Sequence, residues 1–202
     1  MWLWDRGTLQ ISGGFWLLTA WFVLANGVDL LAVVLAAAGT HELGHYLALR
    51  ACGAGISRVR ISVFGAVMET AGGRLSYRRE LVTVLAGPAA NLLCAMAMVV
   101  AGGERWSIPV GANLVLCSFN LLPIRPLDGG RTLELLVSWA AGPAAGEWAA
   151  RCVGGCTALA LAAGIVFLMY CSGGSLWLLP AVIGLLGAAA GEIVGNSDFL
   201  GA

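Results

Sequence analysis

The chain has 202 residues, 59% of them hydrophobic and 11% charged, with a formal net charge of zero. Ordinary soluble domains carry about 25% charged residues, so a soluble fold would need one core to hide nearly the whole chain. The composition therefore predicts a single integral membrane domain over residues 1–202 with the lipid bilayer as its surroundings, and it excludes a separate soluble domain. The charge balance excludes a nucleic-acid or polyanion partner.

Apolar segments of spanning length, roughly 20 residues each, follow one another along the chain. The first covers about 11–27, with Trp16 and Trp21, and ends in a tight turn at Asn26-Gly27-Val28-Asp29. Arg6 precedes it, but no small-x-small cleavage site follows, so it reads as a retained span rather than a cleaved signal. The second covers about 30–51. Residues 53–79 do not read as a span: Ile56-Ser57-Arg58-Val59-Arg60-Ile61-Ser62-Val63-Phe64 alternates apolar and polar, and Gly65 and Gly72-Gly73 supply turns. That pattern predicts a short β-hairpin-like segment at the membrane surface, with a strand edge at about 56–64 open to pairing with an extended peptide.

The third span, about 80–101, contains Ala86-Gly87-Pro88-Ala89-Ala90-Asn91; a Gly-Pro pair bends a membrane helix and frees carbonyls that need a neighbour. The fourth, about 109–136, is broken at Asn120-Leu121-Leu122-Pro123-Ile124-Arg125-Pro126-Leu127-Asp128-Gly129-Gly130. The fifth covers about 149–171 and the sixth about 175–194. Gly187, Gly191 and Gly195 recur on one face that suits close helix contact, within the bundle or in an oligomer. The expected fold is an all-α membrane protein of about six transmembrane helices.

Every positive side chain is an arginine, and Arg50, Arg58, Arg60, Arg74, Arg78 and Arg79 cluster between the second and third spans. By the positive-inside rule this segment is cytoplasmic, and an even number of spans then puts both termini there too. The six cysteines include no CxxC pair; Cys94, Cys117, Cys156 and Cys171 lie in apolar runs and read as small buried hydrophobes. Cys152 and Cys156 share a helix face at i, i+4, a spacing read as packing because no further histidine exists to complete a metal site.

Chemistry concentrates at His41-Glu42-Leu43-Gly44-His45, which holds both histidines of the chain inside an otherwise apolar helix. Four residues advance an α-helix by about 400°, so the two imidazoles lie roughly 40° apart on one face and about 6 Å apart along the axis. This geometry lets both bind one Zn²⁺, with Glu42 beside the metal to take a proton from water. The alternative is a pair of histidines satisfied by hydrogen bonds within a bundle. A tetrahedral zinc with one water needs a third protein ligand, and the carboxylates at membrane depth are Asp29, Glu69, Glu80, Asp128 and Glu134. Asp29 is three turns from His41, and Glu69 and Glu80 flank the interfacial loop. Asp128 lies in the broken helix, where irregular backbone is tolerated only against a protein-lined cavity and an acid is a functional candidate. It reads alternatively as a cap for the helix that follows.

The pairing of His41-Glu42-Leu43-Gly44-His45 with Asn120-x-x-Pro123-x-x-Pro126-Leu127-Asp128-Gly129, in this order within membrane spans, resembles the site-2 proteases, intramembrane zinc metalloproteases. Ala86-Gly87-Pro88-x-x-Asn91 is similar to their intervening helix, so the likeness covers roughly residues 30–136. The resemblance implies that His41, His45 and Asp128 ligate one Zn²⁺ per chain, that Glu42 is the general base, and that Asn120 helps to hold the substrate or the developing oxyanion. For Asn120 the alternative is a helix-stabilising amide. The resemblance further implies a multi-pass protein of a bacterial cell membrane whose substrate is a segment of another membrane protein, such as a membrane-tethered transcription regulator.

The short chain looks most like the stage IV sporulation protein FB branch, which often carries a C-terminal nucleotide-sensing CBS domain. Only Asn196 to Ala202 follow the last span here, so neither that module nor a PDZ domain is expected. Three other functions compete. Buried His, Glu and Asp serve as an ion relay in transporters, a non-enzymatic regulator would bind a partner protease, and a prenyl-protein type of membrane zincin would take a glutamate as third ligand from another motif.

Overall fold

The computed structural model describes residues 2–5, 9–62, 65–71, 75–171 and 179–194. Arg6, Val63-Phe64, the Gly72-Gly73 turn, Arg74, the start of the sixth segment at 175–178, Gly195 and Asn196 to Ala202 lie outside the described residues. The chain forms two compact units, Met1–Asn120 and Leu121–Ala202.

The first unit starts with strands β1 (Trp2–Asp5) and β2 (Leu9–Ser12), followed by helices α1 (Gly13–Asn26) and α2 (Val28–Ala51). Ser12 starts α1 by accepting a hydrogen bond from the Phe15 N–H at 3.3 Å. Gly27 ends it at φ 83°, a backbone conformation that glycine adopts without a side-chain penalty, and so sets the turn into α2. Strands β3 (Gly55–Ser62) and β4 (Gly65–Ala71) come next, and then helices α3 (Tyr77–Ala101) and α4 (Ser107–Asn120), joined by a 3-10 turn at Glu104–Trp106. Helices α2, α3 and α4 pack on one another. Gly44 makes the α2–α3 approach close: a Cβ there would run into the Ala86 carbonyl oxygen and would lie 2.8 Å from the Ala90 Cβ.

The expected hairpin is present, with β3 and β4 antiparallel and Arg60 paired to Glu69 across them at 3.1 Å. It belongs, however, to a four-stranded sheet in the order β1-β2-β3-β4, with β2 parallel to β3 through Leu9↔Val59 and Ile11↔Ile61. Two sequence expectations change. The fold is not all-α, because Leu9-Gln10-Ile11-Ser12, assigned in part to the first span, is a strand with Gln10 and Ile11 buried. Strand 56–64 is not an open edge either, since β3 is paired on both sides; among the described residues the open edges are β1 and β4.

In the second unit, residues 121–127 break the apolar run and lead into α5 (Asp128–Ala141), α6 (Pro143–Cys171) and α7 (Leu179–Val194). The break is held by its own backbone, with Ile124 N–H donating to the Leu122 carbonyl and Leu127 N–H to the Ile124 carbonyl, each at 2.8 Å. Ile124 anchors it in a core with Ala158 and Ala189, against Leu122, Leu127, Leu161 and Leu185. Gly129 and Gly130 let α5 start directly against this segment, because a Cβ on Gly129 would run into the Leu121 carbonyl and one on Gly130 would meet Ile124 at 2.7 Å.

Among the described residues three helices, α2, α3 and α6, are long and apolar enough to cross a bilayer. Helices α1, α4 and α5 have 14 residues each and α7 has 16, below the spanning length of roughly 20. Large apolar side chains cover the helix exteriors, Leu24, Val100 and Tyr170 among them at more than 80% exposure. A surface of that kind suits lipid and not water. Apolar surroundings on the outside also explain the cysteines: Cys117 is buried as expected and Cys94 half-buried, but Cys156 and Cys171 are exposed.

Candidate metal centre

The two histidines converge. His41 is buried, His45 is half-buried, and their Nε2 atoms lie 3.1 Å apart with the rings nearly perpendicular at 83°. Each ring is fixed through its other nitrogen. His45 Nδ1 lies 2.9 Å from the Thr83 carbonyl oxygen, which can only accept, so this nitrogen carries the proton and Nε2 keeps its lone pair. Thr83 lies on α3 five residues before Pro88, whose missing N–H leaves the neighbouring Val84 carbonyl without a helical donor.

His41 Nδ1 lies 2.7 Å from Asn91 Oδ1. The Asn91 amide is fully buried, and its Nδ2 donates to the Ala37 carbonyl at 2.9 Å and to Asn113 Oδ1 at 2.8 Å. With both amide hydrogens used, the oxygen must face His41, which makes Nδ1 the donor and leaves Nε2 bare.

Two lone pairs aimed at each other across 3.1 Å repel unless a cation lies between them. Tetrahedral Zn²⁺ with Zn–N of about 2.0–2.1 Å places two nitrogens roughly 3.4 Å apart, close to the separation seen. Space is also kept open beside them: a Cβ on Gly87 would run into His45 Nε2 and would lie 2.8 Å from His41 Nε2. The donors, their orientation and the bare glycine all fit a metal ion.

Glu42, half-buried, faces the sheet, and its Oε1 accepts a long hydrogen bond of 3.4 Å from the Ala66 N–H at the start of β4. Asn120 closes α4 and donates from Nδ2 to the Leu116 carbonyl at 3.0 Å, the helix-stabilising contact that was one of its two readings. In the second unit Asp128 opens α5 with Leu127 as its N-cap, a position where the helix dipole favours a negative charge. Of the other carboxylates, Glu69 is paired with Arg60, while Glu134 holds Arg125 at 2.9 Å and Arg131 at 2.9 Å. Sequence reasoning singled out His41, Glu42, His45, Asp128 and Asn120 but gave Gly87 and Asn91 no role in the metal centre. The Gly-Pro-x-x-Asn pattern was visible, yet only the fold reveals that α3 turns those two residues toward the histidines.

The chain is similar to proteins named as zinc metalloproteases. Residues 29–106 match the model of peptidase family M50. The chain is 33% identical over 151 residues to Rip3 of Mycobacterium tuberculosis, a zinc metalloprotease by name, with 66% of this chain and 37% of that protein aligned. It is 30% identical over 137 residues to stage IV sporulation protein FB of Bacillus subtilis, covering 64% of this chain and 48% of the relative. The chain thus spans between a third and a half of these relatives' lengths. The solved structure of the site-2 protease from Methanocaldococcus jannaschii shares the fold with a TM-score of 0.66 at 20% identity, over 95% of this chain and 94% of that one.

Proposed function

We propose that the chain is a member of peptidase family M50, the site-2 proteases, and that it is an intramembrane zinc metalloprotease that cuts a peptide bond in or near a transmembrane segment of another membrane protein. The observation that carries the reading is the convergence of two His Nε2 atoms at 3.1 Å beside Glu42, inside a helix apolar and long enough to cross a bilayer.

In this reading His41 and His45 hold the ion, with Asp128 as the third protein ligand. When bound, Zn²⁺ would supply Lewis acidity for the scissile carbonyl and lower the pKa of a water to about 7. Glu42 takes the proton of the attacking water on its carboxylate and returns it to the leaving amine. Asn120 contributes through its amide oxygen or remaining N–H, holding the substrate carbonyl or backbone.

Capture of the substrate shifts from β3 to β4. Ala66 sends its N–H to Glu42 and not into the β3 ladder, and alternation along a strand then turns the backbone groups of Met68 and Thr70 to the same open side. An unwound segment added to that edge would run directly beside Glu42.

Six apolar segments, with the α4–α5 run as the broken fourth, would cross a bacterial cell membrane with both termini and residues 52–79 in the cytoplasm. A membrane-tethered transcription regulator is one class of substrate that such a site would release. The test of the reading is cleavage of a membrane-spanning substrate by the protein reconstituted in liposomes: zinc should support it and a chelator should stop it. Cleavage that persists after complete removal of metal would refute it.

A further inference from the structure

The amide chain behind His41 is more than helix packing. We propose that Asn91 is a positioning residue for the metal centre: it locks His41 in the tautomer with the proton on Nδ1, and Asn113 in turn locks Asn91. The inference rests on the reading of His41 and His45 as metal ligands.

A free histidine side chain favours the opposite tautomer, in which Nε2 carries the proton and cannot bind a metal through that nitrogen. His41 is buried, so a protein group has to select the other form. Asn91 does so only if its own orientation is fixed, because an asparagine amide can flip and present N–H where its oxygen was. Two contacts prevent the flip. Nδ2 donates to the Ala37 carbonyl, one turn before His41 on the same helix, and to Asn113 Oδ1 on α4. Asn113 is itself 3% exposed, and its Nδ2 donates to the Pro109 carbonyl at 2.9 Å, which fixes its oxygen toward Asn91.

A flip of Asn91 would therefore set N–H against His41 Nδ1 and oxygen against two acceptors, around an amide that is fully buried. Each buried mismatch of this kind is costly. The chain of Pro109, Asn113, Asn91 and His41 links α4, α3 and α2, so the packing of α3 and α4 is converted into the orientation of one ring. His45 is served differently, by a backbone carbonyl that no substitution of a side chain can remove. The two ligands are thus unequal, and His41 is the one open to side-chain mutation.

Because the chain contains two histidines in all, ring-¹⁵N-histidine labelling reads both directly. In metal-free wild-type protein, His41 is expected with its proton on Nδ1. Asn91→Leu should shift His41 toward the Nε2–H form and lower zinc affinity about 10–100-fold, the usual effect of losing a partner behind a ligating histidine. Asn91→Asp keeps an acceptor for the His41 N–H while losing both donors, and it should hold the tautomer and recover zinc affinity relative to Asn91→Leu even where its thermal stability falls. A purely structural role predicts instead that affinity follows stability in both variants.

The proposal is overturned if wild-type His41 carries its proton on Nε2, a result that needs no variant to fold. It is also overturned if wild type binds zinc and Asn91→Leu binds it equally with an unchanged tautomer. Failure of the wild type to bind zinc would instead overturn the reading of the histidines as ligands.

Discussion

Gly87 stands so close to His45 that a Cβ on it would run into the Nε2 atom, and the same Cβ would lie 2.8 Å from His41 Nε2. The glycine on α3 therefore preserves the space where the two α2 histidines meet. Gly87→Ala separates two effects. Alanine in a helix interior is favoured over glycine by about 1 kcal/mol, whereas overpacking costs about 1–3 kcal/mol, so the thermal midpoint should move little. Zinc affinity should fall by at least about 10-fold, because metal sites need their ligands within roughly 0.5 Å of the productive geometry. Competition against a chelator of known affinity measures it; unchanged affinity would mean that the rings do not meet at Gly87.

Asp128→Ala tests the third ligand. Removing one of three protein ligands leaves an incomplete site, so both zinc content and cleavage should be lost. Glu134→Ala is the useful control, since Glu134 engages Arg125 and Arg131 at the start of the same helix. It should weaken stability by about 1 kcal/mol or less, as partly exposed ion pairs do, with zinc retained. Full zinc and full activity in Asp128→Ala would remove it from the centre.

Met68→Pro tests capture at β4. Proline on an edge strand is tolerated where the lost N–H faces away from the ladder, and Met68 shares the side on which Ala66 sends its N–H to Glu42. The variant should keep its fold and its zinc yet raise KM for a membrane-spanning substrate. An unaltered KM would place the substrate elsewhere.

Reporter fusions along the chain test orientation. A fusion near residue 60 and fusions at both termini should report the cytoplasmic side, on the strength of the arginines at 50, 58, 60, 74, 78 and 79. A reporter near residue 60 found outside would invert the side from which the substrate approaches.

The metal motif was legible because the chemistry is local: His41 and His45 are one helical turn apart, and their spacing alone puts them on one face. The hairpin was legible too, from alternation over 56–62 and the glycine at 65. The N-terminal strands were not. Leu9-Gln10-Ile11-Ser12 is four residues long and runs straight into Gly13 of an apolar helix, so its alternation was lost in a longer hydrophobic run. Its partner is β3, some fifty residues later and in parallel, a pairing that leaves no local signal. That pairing is also why the expected capture strand proved to be interior. Asn91 and Gly87 were visible as residues but not as parts of the site, since their roles depend on the rotation of α3 about its axis, which an apolar helix with polar groups so sparse does not announce.

The most direct measurement is cleavage of a membrane-spanning substrate in liposomes by wild-type protein and Glu42→Gln, with zinc content determined on the same samples. The amide keeps the shape of the carboxylate but cannot take a proton from water, and general-base catalysis contributes about 10²–10⁴-fold. The expected result is a Glu42→Gln protein with wild-type zinc and a cleavage rate reduced by at least that range. A rate close to wild type at equal zinc would contradict the account, because Glu42 would then not be the base that this centre requires.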